Sequence, residues 1–379
     1  MTDAGGPMRL YETSRREVVP FTPGPIVTMY TCGITPYDAT HFGHATVYLT
    51  YDVLQRRLRD LGHETRCVRN ITDVDDDLLR KARELGVHYL DLAAAETARF
   101  DDDMTALGML ESWSEPRATS AISDIRGFIG MLLDTGNAYQ SGGGVYFEAA
   151  SSDRFGRLSH FDRDEMLRLS ASRGGNPDDP NKRDALDFVL WQPSAPDEPA
   201  WDSLWGPGRP GWHIECSALA MRELDTTIDL HGGGADLVFP HHECEAAQSE
   251  AATGRPFVRH WMHQAMVRMD GEKMSKSLGN LVFVSDLRKT HDTRAIRLAA
   301  IVHHYRDEWE WNDELMPTAD ARLERWLDAG AGDGALAAVR AALDDDLDTP
   351  SAVAAIDAAA ARAEGVSVAA HLLGVDLRD

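Results

Sequence analysis

The sequence predicts an α/β fold: a Rossmann-type parallel sheet domain carrying an inserted subdomain, followed by a C-terminal helical domain. Three observations predict it. Strand and helix patterns alternate up to residue 85, the rhythm breaks over 116–204, and the chain from about 316 onward is Ala-rich with helical spacing. At 379 residues the chain exceeds what one compact core organises, so several units are expected.

Residues 26–31 (IVTMYT) read as a buried strand closed by Cys32-Gly33 and a polar turn. Val47, Leu49, Val53, Leu54 and Leu58 recur at helical spacing, predicting a helix from Gly43 to Leu61. Thr65–Asn70 reads as a second strand and Asp75–Leu85 as a second helix. The segment 116–204 holds Gly142-Gly143-Gly144, an aromatic strand at Val145–Phe147 and the loop-rich run RGGNPDDPNKRDALD, as an insertion into a sheet domain does. The alternation resumes near Ile228–Leu230 and Leu237–Phe239. The expected divisions are therefore 1–115 and 205–260 for the two halves of the Rossmann-type domain, 116–204 for the insertion, 261–315 for a loop and linker, and 316–379 for the helical end.

With 43% hydrophobic and 26% charged residues the composition is that of a globular protein. No stretch of 18 apolar residues is present, and the start lacks a basic-then-apolar layout, so no membrane span and a cytoplasmic location are expected. Four cysteines are too few for a disulfide framework in a chain this long and read as core thiols or metal ligands. Acidic residues outnumber basic ones 62 to 38, for a net charge of −24. Such a field admits a nucleotide in a local pocket but opposes binding of a large polyanion, which depends on clustered Lys and Arg.

Two motifs point to nucleotide chemistry. His41-Phe42-Gly43-His44 lies between a strand and a helix, where free N–H groups and the helix dipole favour phosphate. Lys273-Met274-Ser275-Lys276-Ser277, followed by Leu278-Gly279-Asn280, places two lysines on a loop able to neutralise charge on transferring phosphates. Either motif alone has a bland reading as solvated residues; together, in this order, they carry the chemistry. A third constellation joins Cys32, Cys216 and His241, with Glu245 one turn further on. Two thiolates and an imidazole form a zinc-type donor set, leaving a fourth position for substrate or a weakly held carboxylate. Cys67 and Cys244 read as a strand core residue and a bystander.

HxGH together with KMSKS resembles the signature pair of class I aminoacyl-tRNA synthetases. The runs TCGITPYD, RNITDVDD, GRPGWHIEC and HGGGADLVFPHHE resemble cysteinyl-tRNA synthetase and its relatives, from Leu10 to Leu377. Among those relatives the chain is most similar to the cysteine ligases of mycothiol biosynthesis. CGITPYDAT from Cys32 to Thr40, His44 as the fourth signature residue, Arg173-Gly174-Gly175-Asn176-Pro177 and the ending DDDLDTP…LLGVDL resemble that family's words, and within the 379 residues no anticodon-binding region is expected. The helical end, 312–379, carries 14 acidic against 5 basic residues, unsuited to an anticodon stem.

The resemblance implies a class I synthetase catalytic domain that activates L-cysteine with ATP and passes it to the amine of glucosaminyl-inositol. It implies one zinc ion on Cys32, Cys216 and His241, with Glu245 as a further ligand, and magnesium accompanying ATP. His41, His44, Lys273 and Lys276 are the implied catalytic residues. Cys32, Gly33, Ile34, Thr35, Asn70, Ile71, Thr72, Trp212, Gly234, Ala235, Asp236 and Val267 are the implied contacts of ATP and the cysteinyl adenylate, and Asp38 is a candidate base. A monomer that binds no tRNA is expected. Ser172, Asn176, Val47, His231 and the run from Glu245 to Gln248 depart from the ligase pattern. They leave open a truncated cysteinyl-tRNA synthetase, a paralogue with another amine acceptor, or a non-catalytic binding module.

Overall fold

The computed structural model describes residues 6–37, 40–274 and 280–378, apart from the side chain of Lys273. A short hairpin, β1 (Arg9–Glu12) and β2 (Glu17–Pro20), precedes β3 (Ile26–Ile34), α1 (Phe42–Asp60), β4 (Glu64–Ile71), α2 (Asp76–Leu85) and α3 (Tyr89–Ala106). The insertion contributes α4 (Ile122–Asp134), β5 (Ala138–Ser141), β6 (Gly144–Phe147), α5 (Arg163–Ser172), β7 (Phe188–Pro193) and β8 (Gly208–Pro210). The main sheet resumes through α6 (Trp212–Leu224), β9 (Leu230–Gly234), α7 (Glu243–Thr253) and β10 (Trp261–Gln264). There follow β11 (Val267–Met269), β12 (Glu272–Lys273), α8 (Val284–Leu287), α9 (Thr293–Ile301), β13 (Trp309–Glu310) and the helices α10 (Leu315–Ala329), α11 (Leu336–Asp344), α12 (Thr349–Ala361) and α13 (Ser367–Leu372).

The central sheet is parallel, in the order β10-β9-β3-β4. β4 pairs on one side of β3 and β9 on the other, so the strand order reverses at β3. In such sheets ligands settle outside the carboxyl ends of the strands at the reversal. Strand β3 alternates faces: Val27 and Met29 join the core that includes α1, while Tyr30 and Cys32 face the core that includes α6 and α7. That period of two aims Cys32 at the α6–α7 side.

The strand expected near Leu237–Phe239 is instead a tight 3₁₀ turn, Ala235–Leu237, continued by a π turn, Val238–His242. The Arg173 guanidinium, from the insertion, donates to the carbonyls of Asp236 and Phe239 and takes groups a ladder would use. The insertion's own antiparallel sheet runs β5-β6-β7-β8, and its last strand ends at Pro210.

The C-terminal helices share one apolar core with α1: Trp326, Val339, Leu343, Ile356 and Leu373 lie in the same cluster as Leu49 and Leu54. Arg57 of α1 bonds Asp344 at 2.7 Å and Arg340 of α11 bonds Asp60 at 2.6 Å. Beneath them the fully buried Arg297 donates to Asp52 and to the Leu373 carbonyl. Burial favours neutral forms, yet Arg297 and Arg56 hold the Asp52 carboxyl below its ordinary value. Among the described residues no helix is long and apolar enough to cross a membrane.

Candidate active site

The site gathers at the carboxyl ends of β3, β4 and β9. Gly33 lies against β4 so closely that a Cβ there would stand 1.6 Å from the Asn70 carbonyl oxygen. The Gly33 N–H donates to Asn70 Oδ1 at 2.9 Å, and Asn70 Nδ2 donates to Thr72 Oγ1 at 3.0 Å. The Thr72 N–H returns to the Ile34 carbonyl at 2.9 Å. Gly33, Ile34, Asn70, Ile71 and Thr72 thus form one stitched edge, with Thr35 just beyond it. On β9 the glycines make room for Tyr51 of α1. A Cβ on Gly232 would meet the Tyr51 hydroxyl at 2.2 Å. That hydroxyl accepts from the Gly233 N–H and donates to the Met262 carbonyl, both at 2.7 Å, tying α1 to β9 and β10.

Helix α1 begins at the signature pair. His41 is its N-cap, and its Nδ1 accepts from the His44 N–H at 3.3 Å. The two rings lie 3.7 Å apart at 30°. A Cβ on Gly43 would sit 3.1 Å from His41 Nδ1, so glycine is what lets the imidazole fold back over the helix start. The Phe42 N–H bonds the Val282 carbonyl at 2.7 Å, anchoring the residues after the lysine motif beside the histidines. Lys276 and Asp38 lie outside the described residues, as does the Lys273 side chain. The Lys273 backbone belongs to β12, paired with Arg268 of β11, and Val267 is buried in β11.

Cys32, Cys216, His241 and Glu245, all buried, bring their ligand atoms within 4.8 Å of one another. The two sulfurs are 4.0 Å apart, Cys32 Sγ is 3.9 Å from Glu245 Oε2, and His241 Nε2 is 3.5 Å from the same oxygen. His241 is held by its other edge: Nδ1 shares a 2.9 Å hydrogen bond with His213 Nδ1, and Trp212 stacks on the ring at 4.1 Å. Its Nε2, fully buried, has no hydrogen-bond partner and points into the cluster. A buried nitrogen, two sulfurs and a carboxylate oxygen converging on one point fit a divalent cation of intermediate softness. The electrostatics show what a bound cation would have to offset for the thiols and the carboxyl, and leave the imidazole ready for it. Burial pushes the Cys32 thiol well up, and the neighbouring Cys216 and Glu245 add to it; burial also raises Glu245. Burial, then the neighbouring His213 and His231, holds His241 well down, in the neutral form that binds metals.

A second tier of histidines was not legible as part of the site. His242 Nε2 lies 3.3 Å from Cys32 Sγ, and its Nδ1 is 2.7 Å from His263 Nε2. His231 Nε2 lies 3.3 Å from Glu245 Oε1. Cys32, His231, His242 and Glu245 make a second group with mutually close ligand atoms. Loss of water pulls His231 and His263 down to about 3, so these rings are neutral. The doubled histidine in PHHE and the histidines of β9 and β10 were the signal available. Cys67 sits in the α1-side core, and Cys244 shares the α6–α7-side core with Cys32 and Cys216 without joining the grouped ligand atoms. Asp236 stands half-buried after β9, its Oδ1 2.7 Å from where a Gly234 Cβ would be, next to Ala235.

The family model described as the catalytic domain of class I (C) tRNA synthetases matches residues 19–321. The chain belongs to this family. It is 50% identical over 361 residues to the L-cysteine:1D-myo-inositol 2-amino-2-deoxy-alpha-D-glucopyranoside ligase of Nocardiopsis dassonvillei, covering 93% of this chain and 89% of that one. Its identity to the protein of the same name from Nakamurella multipartita is 49% over 389 residues, covering 98% and 96%. These relatives bear out the resemblance to the cysteine ligase branch. Among solved structures, Mycobacterium tuberculosis methionyl-tRNA synthetase in complex with methionyl-adenylate superposes with a TM-score of 0.67 at 16% identity, covering 93% of this chain and 88% of that one. A putative arginyl-tRNA synthetase from Campylobacter jejuni gives 0.60 at 12% identity and 93% coverage of both. Both likenesses establish the fold and agree with the Rossmann-type reading.

Proposed function

We propose that this chain is an ATP-dependent ligase that activates L-cysteine as its adenylate and transfers it to the amine of 1D-myo-inositol 2-amino-2-deoxy-α-D-glucopyranoside. The observation that carries the cysteine reading is the buried Cys32–Cys216–His241–Glu245 cluster. The ligase relatives at about half identity over nearly the whole chain support the acceptor. Zinc is the ion this donor set favours, and it supplies a soft contact for the substrate thiolate that serine does not match. Cys32, Cys216 and His241 would hold it, with Glu245 close enough to join them where the substrate thiolate does not take the fourth position. Magnesium accompanies ATP.

The chain's own residues then position the reactants. The N–H groups at the start of α1, with His41 and His44, receive the ATP phosphates, and Lys273 and Lys276 neutralise charge as pyrophosphate departs. Trp212, already stacked on His241, forms a wall for the amino acid, and Asp236 meets the ammonium or ribose. The cysteine carboxylate attacks the α-phosphorus and pyrophosphate leaves. The acceptor nitrogen then attacks the carbonyl carbon, AMP leaves, and the nitrogen gives up a proton as the amide forms. Positioning and charge neutralisation do most of this work. The enzyme acts without tRNA, as a monomer in the cytoplasm.

The test is direct. Purified protein with ATP and L-cysteine is expected to exchange pyrophosphate into ATP, and to yield an amide only when glucosaminyl-inositol is added. Transfer to tRNA instead sinks the acceptor assignment, and no cysteine-dependent exchange sinks the enzyme reading.

A further inference from the structure

Resting on that reading, we infer that Asp346, in the turn between α11 and α12, is a positioning residue for nucleotide activation, acting from the C-terminal helices on Phe42 of the HFGH motif.

The first pointer is backbone strain. Asp346 (φ 58°) and Leu347 (φ 52°) are consecutive non-glycine residues in the left-handed region, and both are buried. Crowding at Cβ makes that region costly for L-residues, whereas glycine enters it freely. Such strain persists where the surroundings over-determine it, and it collects at functional sites. Leu347 joins the core that includes α1. Asp346 is held by its carboxylate. Oδ1 accepts from the Tyr11 N–H at 2.7 Å and from the Tyr305 hydroxyl at 2.6 Å, and Oδ2 accepts from Arg306 Nε at 2.6 Å. The Asp346 N–H donates to the Arg9 carbonyl at 2.9 Å, and the Arg306 guanidinium lies 4.8 Å over the Tyr11 ring. A buried carboxylate needs partners of this kind. They come here from β1 and from the segment after α9, both outside the C-terminal helices. Glycine at 346 would remove the strain and every one of these side-chain bonds, so the acid is there for what it holds.

What it holds leads to the nucleotide motif. The Tyr305 carbonyl accepts from the Ala265 N–H at 2.7 Å, fixing the link between β10 and β11. Further on, Trp309 of β13 pairs with Val267 of β11, and the Trp311 N–H donates to the Arg268 carbonyl at 2.8 Å. β11 pairs in turn with β12, which contains Lys273. Trp309 and Trp311 both meet the buried Phe42 edge-on, with ring centroids 6.1 and 4.9 Å away. Phe42 opens α1 between His41 and Gly43, so a shift of the two tryptophans moves the helix start. The turn also reaches this segment a second way. Thr349 Oγ1 donates to the His303 carbonyl at 3.3 Å, and the His303 ring stacks on Trp309 at 4.1 Å. Phe42, Trp309 and Leu347 lie in one core, while Cys32 and Cys216 lie in the other. The line of contacts therefore bears on the nucleotide and bypasses the thiol cluster.

The experiment compares wild type with three variants. Asp346→Gly relieves the strain and removes the carboxylate, Asp346→Asn keeps its shape, and Tyr305→Phe removes one donor from the other side. It reads cysteine-dependent ATP–pyrophosphate exchange, bound zinc, and amide hydrogen exchange by mass spectrometry in peptides covering β11 and β13. Asp346→Gly is expected to raise the KM for ATP about tenfold and to speed hydrogen exchange in those peptides about fivefold, the scale of one lost hydrogen bond to a charged group. The KM for cysteine, the zinc content and hydrogen exchange in β3 stay within about twofold of wild type. Asp346→Asn and Tyr305→Phe are expected to raise the ATP KM by about threefold. Should Asp346→Gly fail to fold, Tyr305→Phe decides by the same readouts. Equal rises in both KM values with loss of zinc mean general loosening and overturn the positioning role. Wild type that exchanges pyrophosphate, with an ATP KM unmoved in Asp346→Gly and Tyr305→Phe, overturns this role alone. Wild type without cysteine-dependent exchange overturns the enzyme reading and this role with it.

Discussion

Two proposed binding regions lie on opposite sides of β3, and they are built on opposite principles. The Cys32–Cys216–His241–Glu245 cluster is buried, its ligand atoms fixed by packing, by the Trp212 stack and by the hydrogen bond between His241 and His213. The histidine pair at the start of α1 is only partly covered, with His44 half-buried, and the lysine motif proposed to act with it lies far along the chain. The difference follows from the task of each region. A site that discriminates a thiol from a hydroxyl gains from removing water, because soft-donor selectivity and electrostatics strengthen in a dry pocket. A site that admits ATP and releases pyrophosphate must open at each turnover.

The largest expected effect separates the two regions outright. Cys216→Ser is expected to lose bound zinc and to reduce cysteine-dependent exchange by more than the roughly 10–100-fold typical of changes around a metal's ligands. Metal analysis of the purified variant checks it; full zinc content and unaltered choice of cysteine over serine break the contrast. His41→Ala is the complementary change. It is expected to lower the exchange rate by about 10²-fold, the scale of one lost charge-stabilising group, with zinc content and cysteine preference intact. Loss of metal in that variant shows the two regions to be coupled rather than separate.

A third change tests the support beneath α1. Arg297→Met strands the fully buried Asp52 with Arg56 as its remaining guanidinium, and is expected to cost about 3–5 kcal/mol of stability. Chemical denaturation measures it, and the double variant Asp52→Asn with Arg297→Met is expected to recover most of the loss. A stability within about 1 kcal/mol of wild type for Arg297→Met alone refutes the role given to the pair.

The smallest effect concerns Asp75, the N-cap of α2, whose carboxyl loses water and is pushed up to about 6. Its folded value lies above the unfolded one near 3.9. The folded state therefore keeps this proton longer, and the associated stability is full below about pH 4 and lost as pH rises towards 6. Asp75→Asn keeps a capping oxygen and removes the titration. It is expected to flatten that decline by about 2 kcal/mol, read from denaturation midpoints at pH 4 and 7. An unchanged slope rules out Asp75 as its source.

How much of this was legible in the sequence varied with the distance over which a feature is specified. The strand at 26–31 and the helices over Gly43–Leu61 and Asp75–Leu85 were legible because local periodicity specifies them. So were the parts of the site written as contiguous words: HFGH, GWHIEC and PHHE. The segment near Leu237–Phe239 escaped because its turn is made by Arg173, which arrives from the insertion. His242, His263 and the second group around Cys32 escaped for a related reason. Imidazoles on a π turn and a strand show their common target only once the strands are in register.

By itself the sequence determined the alternation that makes a parallel sheet, the two nucleotide motifs, and the residue types able to bind a thiophilic metal. Those properties reside in spacing and side-chain chemistry, which the chain carries unfolded. Only the tertiary structure decided which atoms converge. Cys32 and Glu245, separated by 213 positions, meet because β3 alternates faces and because glycines let Tyr51 draw β9 and β10 against α1. Long-range geometry of that kind is a property of packing, and no local pattern encodes it.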